Sequence, residues 1–449
     1  MSAEADAPDG DVPDVLDPFR QFFSFRRDVL VLSVAMFAFS LAFQITTRFM
    51  PRYMSVLGAS AFVIGLFRTV QNIIGAAYPY PGGALSDRIG SRRALTLFGL
   101  LSSLGFLVWL VVPLLGSLPV VGGVEPWFWV FVGLFFAQAW KSFGLGASFA
   151  IVKQAVPPSH LARGFASTEV FRRTAFLVGP LLAATILALT AEFTVGFQVI
   201  LAVAILFAVA ATTAQHVLYE PEDTTIGKSF EGLSEIAADL RGLPPELRPL
   251  LVADTLVRFA NGLVYVFFII VVTELREVGL ALGALRLTPD PFFGVLLAVE
   301  MSVALVSMPV AARLAESVGL KPVVALGFAV YGLFPALLIG APASPAVFAL
   351  LFAFSGLRFA GLPAHKALIV GPAERDTGGR VAGSYYLARN TVVIPSAVLG
   401  GALYGGFTVP FTDIGYAGSP TLAFALATVV GVAGTAYFLL FGREFSAYE

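Results

Sequence analysis

The chemically most unusual residues of the 449-residue chain are charged side chains inside long apolar runs. A charge at the centre of a membrane-spanning helix costs about 2.5–3.5 kcal/mol on insertion scales, so such a residue is expected to face a partner or a wet cavity. Basic residues outnumber acids in these runs, and an anion would compensate the excess. The basic residues are Arg68, Lys141, Arg172, Arg173, Arg258, Arg358 and Arg389, and the acids are Glu169, Asp254 and Glu300.

Spacing separates locally paired charges from isolated ones. Asp254 precedes Arg258 by four residues, and Glu169 precedes two arginines by three and four, spacings that allow pairing on one helix face. Such pairs either hold the helix or contribute to a binding site, and both interpretations stay open. The bases without an acid within one helical turn are Arg68, Lys141, Arg358 and Arg389.

Neutral polar residues beside these bases complete a candidate solute site. Any one of them could instead hydrogen-bond a neighbouring helix. The candidates for solute binding are Arg68, Gln71, Lys141, Arg258, Asn261, Arg358, Tyr385, Arg389 and Asn390.

Glu300 is the first candidate for carrying a proton, and Asp254 is the second. Glu300 lies near the centre of its apolar run with no base within four positions, where burial disfavours the charged form. The alternative is a permanent counter-ion to an arginine of another helix, which would leave transport uncoupled from protons.

Composition places the chain in a lipid bilayer. Apolar residues make up 57%, charged residues 13%, and the mean hydropathy is +0.85, values far from those of soluble domains. Cysteine is absent and the three histidines are scattered, so we expect no disulfide, metal site or cofactor. The near-zero net charge of -1 gives no indication of nucleic-acid binding.

Twelve apolar runs approach the roughly 20 residues that a bilayer core requires. Most Lys and Arg lie in the segments that become cytoplasmic when both termini are placed inside, and this asymmetry predicts the orientation. Arg48 and Arg52 are assigned to an outer loop. The runs are 29–49, 61–78, 94–115, 128–152, 165–189, 195–217, 250–272, 292–312, 323–339, 346–367, 382–404 and 422–441.

The predicted organisation is an all-α membrane protein with twelve transmembrane helices in two pseudo-symmetric six-helix bundles and both termini cytoplasmic. Residues 1–28 read as a disordered acidic tail, 29–218 as the first bundle and 250–441 as the second. Residues 219–249 form a cytoplasmic linker with a predicted amphipathic helix, and 442–449 form a second tail.

The two halves repeat in sequence. An offset of 217 residues pairs Lys141 with Arg358 and Arg172 with Arg389. A second offset, of 229 residues, aligns Gly90 with Gly319. Duplicated halves suit an alternating-access transporter, because a site at their interface can face either side of the membrane.

A basic turn between the second and third runs carries a family resemblance. Its Gly-x-x-x-Asp-Arg-x-Gly pattern with closing bases resembles motif A of the major facilitator superfamily. The motif residues are Gly83, Asp87, Arg88, Gly90, Arg92 and Arg93, and a degenerate copy contains Glu316, Gly319 and Lys321.

This resemblance implies a secondary active transporter, in which Asp87 caps the amino end of the eleventh helix when the inner side is closed. The charge excess favours a small anionic organic solute, with protons as a candidate coupling ion. The alternatives are a broad-specificity efflux antiporter for hydrophobic compounds, which the 42 Phe would suit, and a non-transporting membrane sensor. No nucleophile or metal motif indicates an enzyme, and we expect a monomer in the plasma membrane.

Overall fold

The computed structural model describes residues 27–78, 81–82, 85, 88–117, 123–141, 161–218, 244–371, 378–408 and 415–444. Within these ranges the chain is almost entirely helical, because in lipid a helix satisfies all backbone hydrogen bonds within one segment. The predicted tail over residues 1–26 and the linker over 219–243 lie outside the described residues.

The first half of the chain forms seven described helices. Ser60 caps α3 by accepting a hydrogen bond from the Val63 amide, and Pro126 occupies the first turn of α5, where its missing N–H costs nothing. The helices are α1 (Arg27–Thr47), α2 (Met50–Val56), α3 (Ala61–Ala77), α4 (Ser91–Ser117), α5 (Pro126–Ala139), α6 (Leu161–Ala188) and α7 (Phe193–Leu218).

The second half begins with α8 (Arg248–Val264), which continues through tighter and wider turns as far as Leu275. Two short antiparallel hairpins interrupt the helices, β1 (Leu280–Leu282) with β2 (Leu285–Leu287), and β3 (Phe407–Thr408) with β4 (Gly415–Tyr416). The remaining helices are α9 (Pro289–Val318), α10 (Leu320–Gly340), α11 (Pro345–Gly356), α12 (Leu362–Val370), α13 (Gly378–Val393), α14 (Ser396–Gly405) and α15 (Pro420–Phe441).

Seven segments of the described chain are long and apolar enough to cross a membrane, and three shorter apolar helices accompany them. The count of twelve spans stays a prediction. The seven are Arg92–Gly116, Phe193–Leu218, Pro245–Leu275, Pro289–Val318, Leu320–Gly340, Pro345–Ile369 and Pro420–Phe441.

The helices pack mainly within each half of the sequence, and two helix pairs make the largest described contacts between the halves. Helix α3 packs on α14, and α6 packs on α9. Both contacts use glycines that let backbones approach: a Cβ on Gly65 would lie 2.2 Å from the Ala397 carbonyl oxygen, and one on Gly294 would lie 2.6 Å from that of Pro180. These contacts lie at the end of the molecule that carries α2 and both hairpins, which we call the hairpin end.

The first predicted span differs from the structure at its end. The run 29–49 was expected to lead into an outer loop, but the chain turns at Arg48 and continues as α2. Tyr53 and Met54 in this helix are fully buried. Arg48 lies in the turn between α1 and α2, and the apolar residues beyond this turn are packed into the core.

Both copies of the basic turn place a glycine in the left-handed region. Gly90 has φ +85° and Gly319 has φ +88°, a conformation that favours glycine. The backbone thus agrees with the predicted offset between the copies. Gly83 and Asp87 lie outside the described residues.

Candidate functional site

A cavity lies between the two halves of the chain, below the hairpin end. It contains about 640 Å³ of space not filled by protein atoms, part of which is open to solvent. Its lining residues are Thr47, Arg48, Met50, Pro51, Ile64, Phe67, Arg68, Gln71, Trp109, Tyr265, Val266, Phe268, Ile269, Phe293, Leu297, Glu300, Phe352 and Arg358.

A buried ion pair forms one side of the cavity. The Nη2 atom of Arg358 lies 2.8 Å from Oε1 of Glu300, and the Ser355 hydroxyl donates to the same oxygen. Both charged side chains are at least 97% buried. Arg358, which has no acid within one turn of its own helix, is thus compensated by an acid of α9. This contact agrees with the alternative left open in the sequence, in which Glu300 is the counter-ion of an arginine on another helix.

Three guanidinium groups surround the ring of Tyr265. Their central carbons lie 4.8 Å (Arg48), 6.0 Å (Arg68) and 5.8 Å (Arg358) from the ring centroid, distances typical of cation–π contacts. Arg68 also donates a hydrogen bond to the Gln71 amide oxygen. Arg48 and Tyr265 were not among the site residues predicted from the sequence. Arg48 follows a long apolar run and precedes Pro51, a pattern that fits a turn within the membrane as well as a loop.

A second cluster surrounds Asp254, which is fully buried in α8. One carboxylate oxygen accepts from Nε of Arg258 at 3.2 Å, and the other accepts from Nη1 of Arg389 at 2.9 Å and the Tyr385 hydroxyl at 3.3 Å. The predicted pair of Asp254 and Arg258 is confirmed. Arg389, treated as isolated in the sequence, is also held by this carboxylate, because α13 packs beside α8.

His365 of α12 belongs to the same cluster and was not predicted. Its Nε2 atom lies 3.3 Å from the nearer Asp254 carboxylate oxygen, and its side chain is 5% exposed. The position of His365 inside an apolar run could have indicated a buried polar cluster, but in the sequence this histidine was considered only as a metal ligand.

Tyr331 of α10 connects the two clusters. Its hydroxyl accepts a hydrogen bond of 2.7 Å from Nη1 of Arg258. The guanidinium groups of Arg258 and Arg358 lie 4.7 and 5.2 Å from its ring centroid. A continuous polar chain therefore runs from Asp254 to Glu300 through the second half.

The remaining predicted solute-site residues lie apart from the cavity lining. Lys141 is exposed, with its amine 5.6 Å from the Phe43 ring centroid. Asn261 lies on α8, one turn before Tyr265. The Asn390 side-chain oxygen accepts from Nε and Nη2 of Arg389 at 3.1 and 2.9 Å.

The described part of the basic turn is anchored to the end of the first half. Nε of Arg92 donates to the His216 carbonyl oxygen at 2.6 Å, while Arg88 and Arg93 are exposed.

In the degenerate copy, Glu444 accepts from the amides of Leu320 and Lys321 at 3.1 and 2.9 Å and so caps α10. Glu316 is exposed on the last turn of α9.

Ion pairs also join the halves directly at the hairpin end. Arg52 donates through Nη1 to Glu274 at 2.7 Å and through Nε to Asp290 at 3.1 Å. The Ser55 hydroxyl donates to the same Glu274 oxygen at 2.6 Å. We call these four residues the hairpin-end latch. Arg52 was assigned to an outer loop in sequence, and its partners belong to the other half of the chain.

The described residues contain no group of three or more His, Cys, Asp or Glu that could hold a metal ion. The cavity residues that remain available for a ligand are guanidinium, carboxylate, amide and aromatic groups. Their arrangement fits reversible binding of a charged organic solute.

Similar proteins agree with this architecture. Nucleoside transporter NupG, solved as a mutant, aligns with a TM-score of 0.71 at 10% identity over 92% of this chain and 100% of that chain. A peptide transporter POT in complex with sulfate aligns at 0.66 and 14% identity over 95% and 97%. A bacterial homologue of the iron transporter ferroportin, in an inward-facing state, aligns at 0.67 and 14% identity over 93% and 98%.

These likenesses concern the fold, and the family follows from the sequence itself. No curated protein matches the chain significantly. The family model for the Major Facilitator Superfamily matches residues 3–125 and 32–287, which together cover more than half of the chain. The predicted family is therefore confirmed, and the chain belongs to the Major Facilitator Superfamily of membrane transporters.

Proposed function

We propose that the protein is a secondary active transporter of a small organic anion that works by alternating access. The observation that carries the proposal is the cavity between the halves, where Arg48, Arg68 and Arg358 face a single acid, Glu300. Unpaired charge in a low-dielectric site is costly, and a bound anion removes that cost. The aromatic lining favours an organic solute over an inorganic ion.

The distribution of surface charge supports an orientation with the hairpin end outside. The basic residues of the connections and helix ends collect at the opposite end, as expected for the cytoplasmic side. Those in the described chain are Arg88, Arg92, Arg93, Arg248, Arg313, Lys321, Lys366 and Arg443.

In this orientation the end at which the described halves are in contact is the outer one. The latch and the glycine contacts of α3 with α14 and of α6 with α9 hold the halves together at the outer end. Transport then requires that these contacts open while the inner end closes. Asp87 is the proposed residue that closes the inner end, through its charge at the amino end of the eleventh span.

Glu300 is the proposed site of proton coupling. Its carboxylate neutralises Arg358 in the described state. A proton taken up by Glu300 would remove that negative charge and free the guanidinium for the solute, so proton and anion would move together. If Glu300 stays a permanent counter-ion, the solute gradient alone drives transport.

The apolar part of the lining favours one alternative function, the efflux of hydrophobic compounds. Phe67, Trp109, Phe268, Phe293 and Phe352 all contact the cavity. A purely hydrophobic substrate would leave the arginines uncompensated, so this alternative ranks second.

Counterflow in proteoliposomes distinguishes the two functions. Vesicles loaded with unlabelled compound are tested against a panel of labelled organic anions and hydrophobic dyes. The proposal predicts exchange of anions and competition among them. Exchange of dyes alone, with no effect of any anion, would support the efflux function instead.

A further inference from the structure

The balance of positive and negative charges in the cavity indicates how many negative charges the solute carries. Arg48, Arg68 and Arg358 contribute three positive charges, and Glu300 contributes one negative charge. The charge of Arg48 interacts with the charges of Arg68, Arg358 and Glu300. We infer that the solute is an organic dianion, with two negative charges on an apolar body, an inference that rests on the proposed transport of an anion.

Two of the three arginines keep their charge for a ligand. Among the described residues, Arg358 forms an ion pair with Glu300, whereas neither Arg48 nor Arg68 has a carboxylate oxygen within 4.0 Å. Gln71, which accepts from Arg68, is neutral. While Glu300 is ionised and paired with Arg358, the cavity presents two uncompensated positive charges, which is the complement of a dianion. A proton on Glu300 would raise this excess and strengthen the preference for the dianion over a monoanion.

Tyr265 explains how three like charges can be held together without more acids. All three guanidinium groups lie within 6.0 Å of its ring centroid. A ring face attracts cations but contributes no formal charge. The arginines are thus oriented by an aromatic ring and not by carboxylates, so their charge remains available to the solute.

Arg358 also has a hydrogen-bond donor that its protein neighbours do not satisfy. Its Nε atom is fully buried without a hydrogen-bond partner, although the side chain is only 3% exposed. Buried donors are nearly always satisfied, and an acidic group of the solute next to Arg358 would satisfy this one.

The rest of the lining selects for an apolar body. Five aromatic residues, Phe67, Trp109, Phe268, Phe293 and Phe352, contribute to the wall. Aromatic side chains prefer offset or edge contacts with other rings. Inorganic dianions such as sulfate would leave this wall without a partner, so the preferred class is an aryl or similarly apolar dianion.

Matched probes test the number of charges on a constant body. Inhibition of anion counterflow in proteoliposomes is measured with terephthalate against benzoate, and with phenyl phosphate against benzenesulfonate, at a pH where the phosphate monoester carries two charges. We expect each dianion to inhibit at concentrations at least about tenfold lower than its monoanion. Sulfate alone is expected to inhibit weakly.

Variants connect the preference to the arginines. Arg48→Gln and Arg68→Gln each remove one positive charge and are expected to bring a dianion and its monoanion to near parity. Arg48→Lys keeps the charge and is expected to keep the preference, which controls for misfolding. Arg286→Gln, at an exposed position of β2, is expected to change nothing.

The outcomes distinguish this inference from the proposed function. Monoanions that inhibit as well as dianions in the wild type would overturn the dianion inference and leave anion transport intact. A preference that persists in both Gln variants would overturn it as well. If no anion of either charge is exchanged or inhibits, the proposed anion transport fails and the inference fails with it.

Discussion

Arg48 enters the cavity because the first span does not end where its apolar run ends. Helix α1 stops at Thr47, one turn follows, and α2 continues into the buried core, so the guanidinium reaches Tyr265 instead of solvent. The same ring receives Arg68 and Arg358. At the scale of single residues, the site is thus a set of arginines held by one tyrosine and counterbalanced by one glutamate.

Replacement of Glu300 by Gln tests the coupling role of the acid that lines this cavity among the described residues. Glu300→Gln keeps the shape but removes the negative charge and the titratable proton. If Glu300 carries the proton, a pH gradient accumulates solute in wild-type vesicles and no longer does so in the variant, while counterflow persists. Glu316→Gln, the same change on an exposed turn, is the matched control. Gradient-driven accumulation that survives Glu300→Gln would refute the coupling role.

Asp254 is predicted to be the more important acid for stability. Its carboxylate is fully buried and holds Arg258 and Arg389 together with His365. Breaking a buried pair by removing one partner typically costs about 3–5 kcal/mol, so Asp254→Asn should lower the thermal unfolding temperature in detergent. Glu246→Gln, at an exposed position just before α8, should leave it within error. Equal unfolding temperatures for both variants would show that the cluster contributes little.

At the scale of elements, the two largest described helix contacts between the halves and the ion-pair latch all lie at the hairpin end. Small residues on α3, α14 and α9 allow backbones to approach, and α2 brings Arg52 to the acids that flank β1 and β2.

The latch is expected to control opening at the hairpin end. Arg52→Gln removes both ion pairs and should favour the open state by about 1 kcal/mol, or roughly fivefold. The chain contains no cysteine, so a single Thr47→Cys in the cavity lining can be labelled without background. Labelling by an impermeant maleimide added outside should become faster in Arg52→Gln and stay unchanged in Arg286→Gln. Unchanged labelling in both would mean that the latch does not hold this end closed.

Two glycines of α3 form a matched pair for testing the helix contact. A Cβ on Gly65 would overlap the Ala397 carbonyl oxygen, whereas a Cβ on Gly75 meets nothing within 4 Å. Gly65→Ala should therefore weaken the contact of α3 with α14 by about 1–3 kcal/mol, as overpacking does. We expect the Thr47→Cys protein to be labelled faster from outside when Gly65→Ala is added. Adding Gly75→Ala instead should leave the labelling rate unchanged. Similar rates in both variants would contradict the described contact.

At the scale of the whole molecule, transport requires that closure alternates between two ends. The latch belongs to the hairpin end, and the described part of the basic turn, Arg88 to Arg93, belongs to the other. If Asp87 closes that other end as proposed, weakening either end should shift the same two-state equilibrium in opposite directions. This reciprocity follows from the proposed rocking of two similar halves around one cavity.

Asp87→Asn tests the reciprocal effect. Loss of its charge should leave membrane insertion intact, slow transport and decrease outside labelling of Thr47→Cys, because the inner end closes less often. Combined with Arg52→Gln, the labelling rate should return toward that of the parent protein. Turnover equal to wild type at equal surface expression would show that Asp87 has no gating role.

The amino-acid sequence by itself determined the membrane class, the family and the repeat of the basic turn. It also determined the pair of Asp254 with Arg258, because composition and helical spacing decide which residues meet lipid and which meet on one helix face. Only the tertiary structure decided that Arg358 meets Glu300, that Arg389 meets Asp254 and that three arginines share Tyr265. Such contacts depend on how separate helices rotate and pack against one another, which spacing along a single helix does not specify.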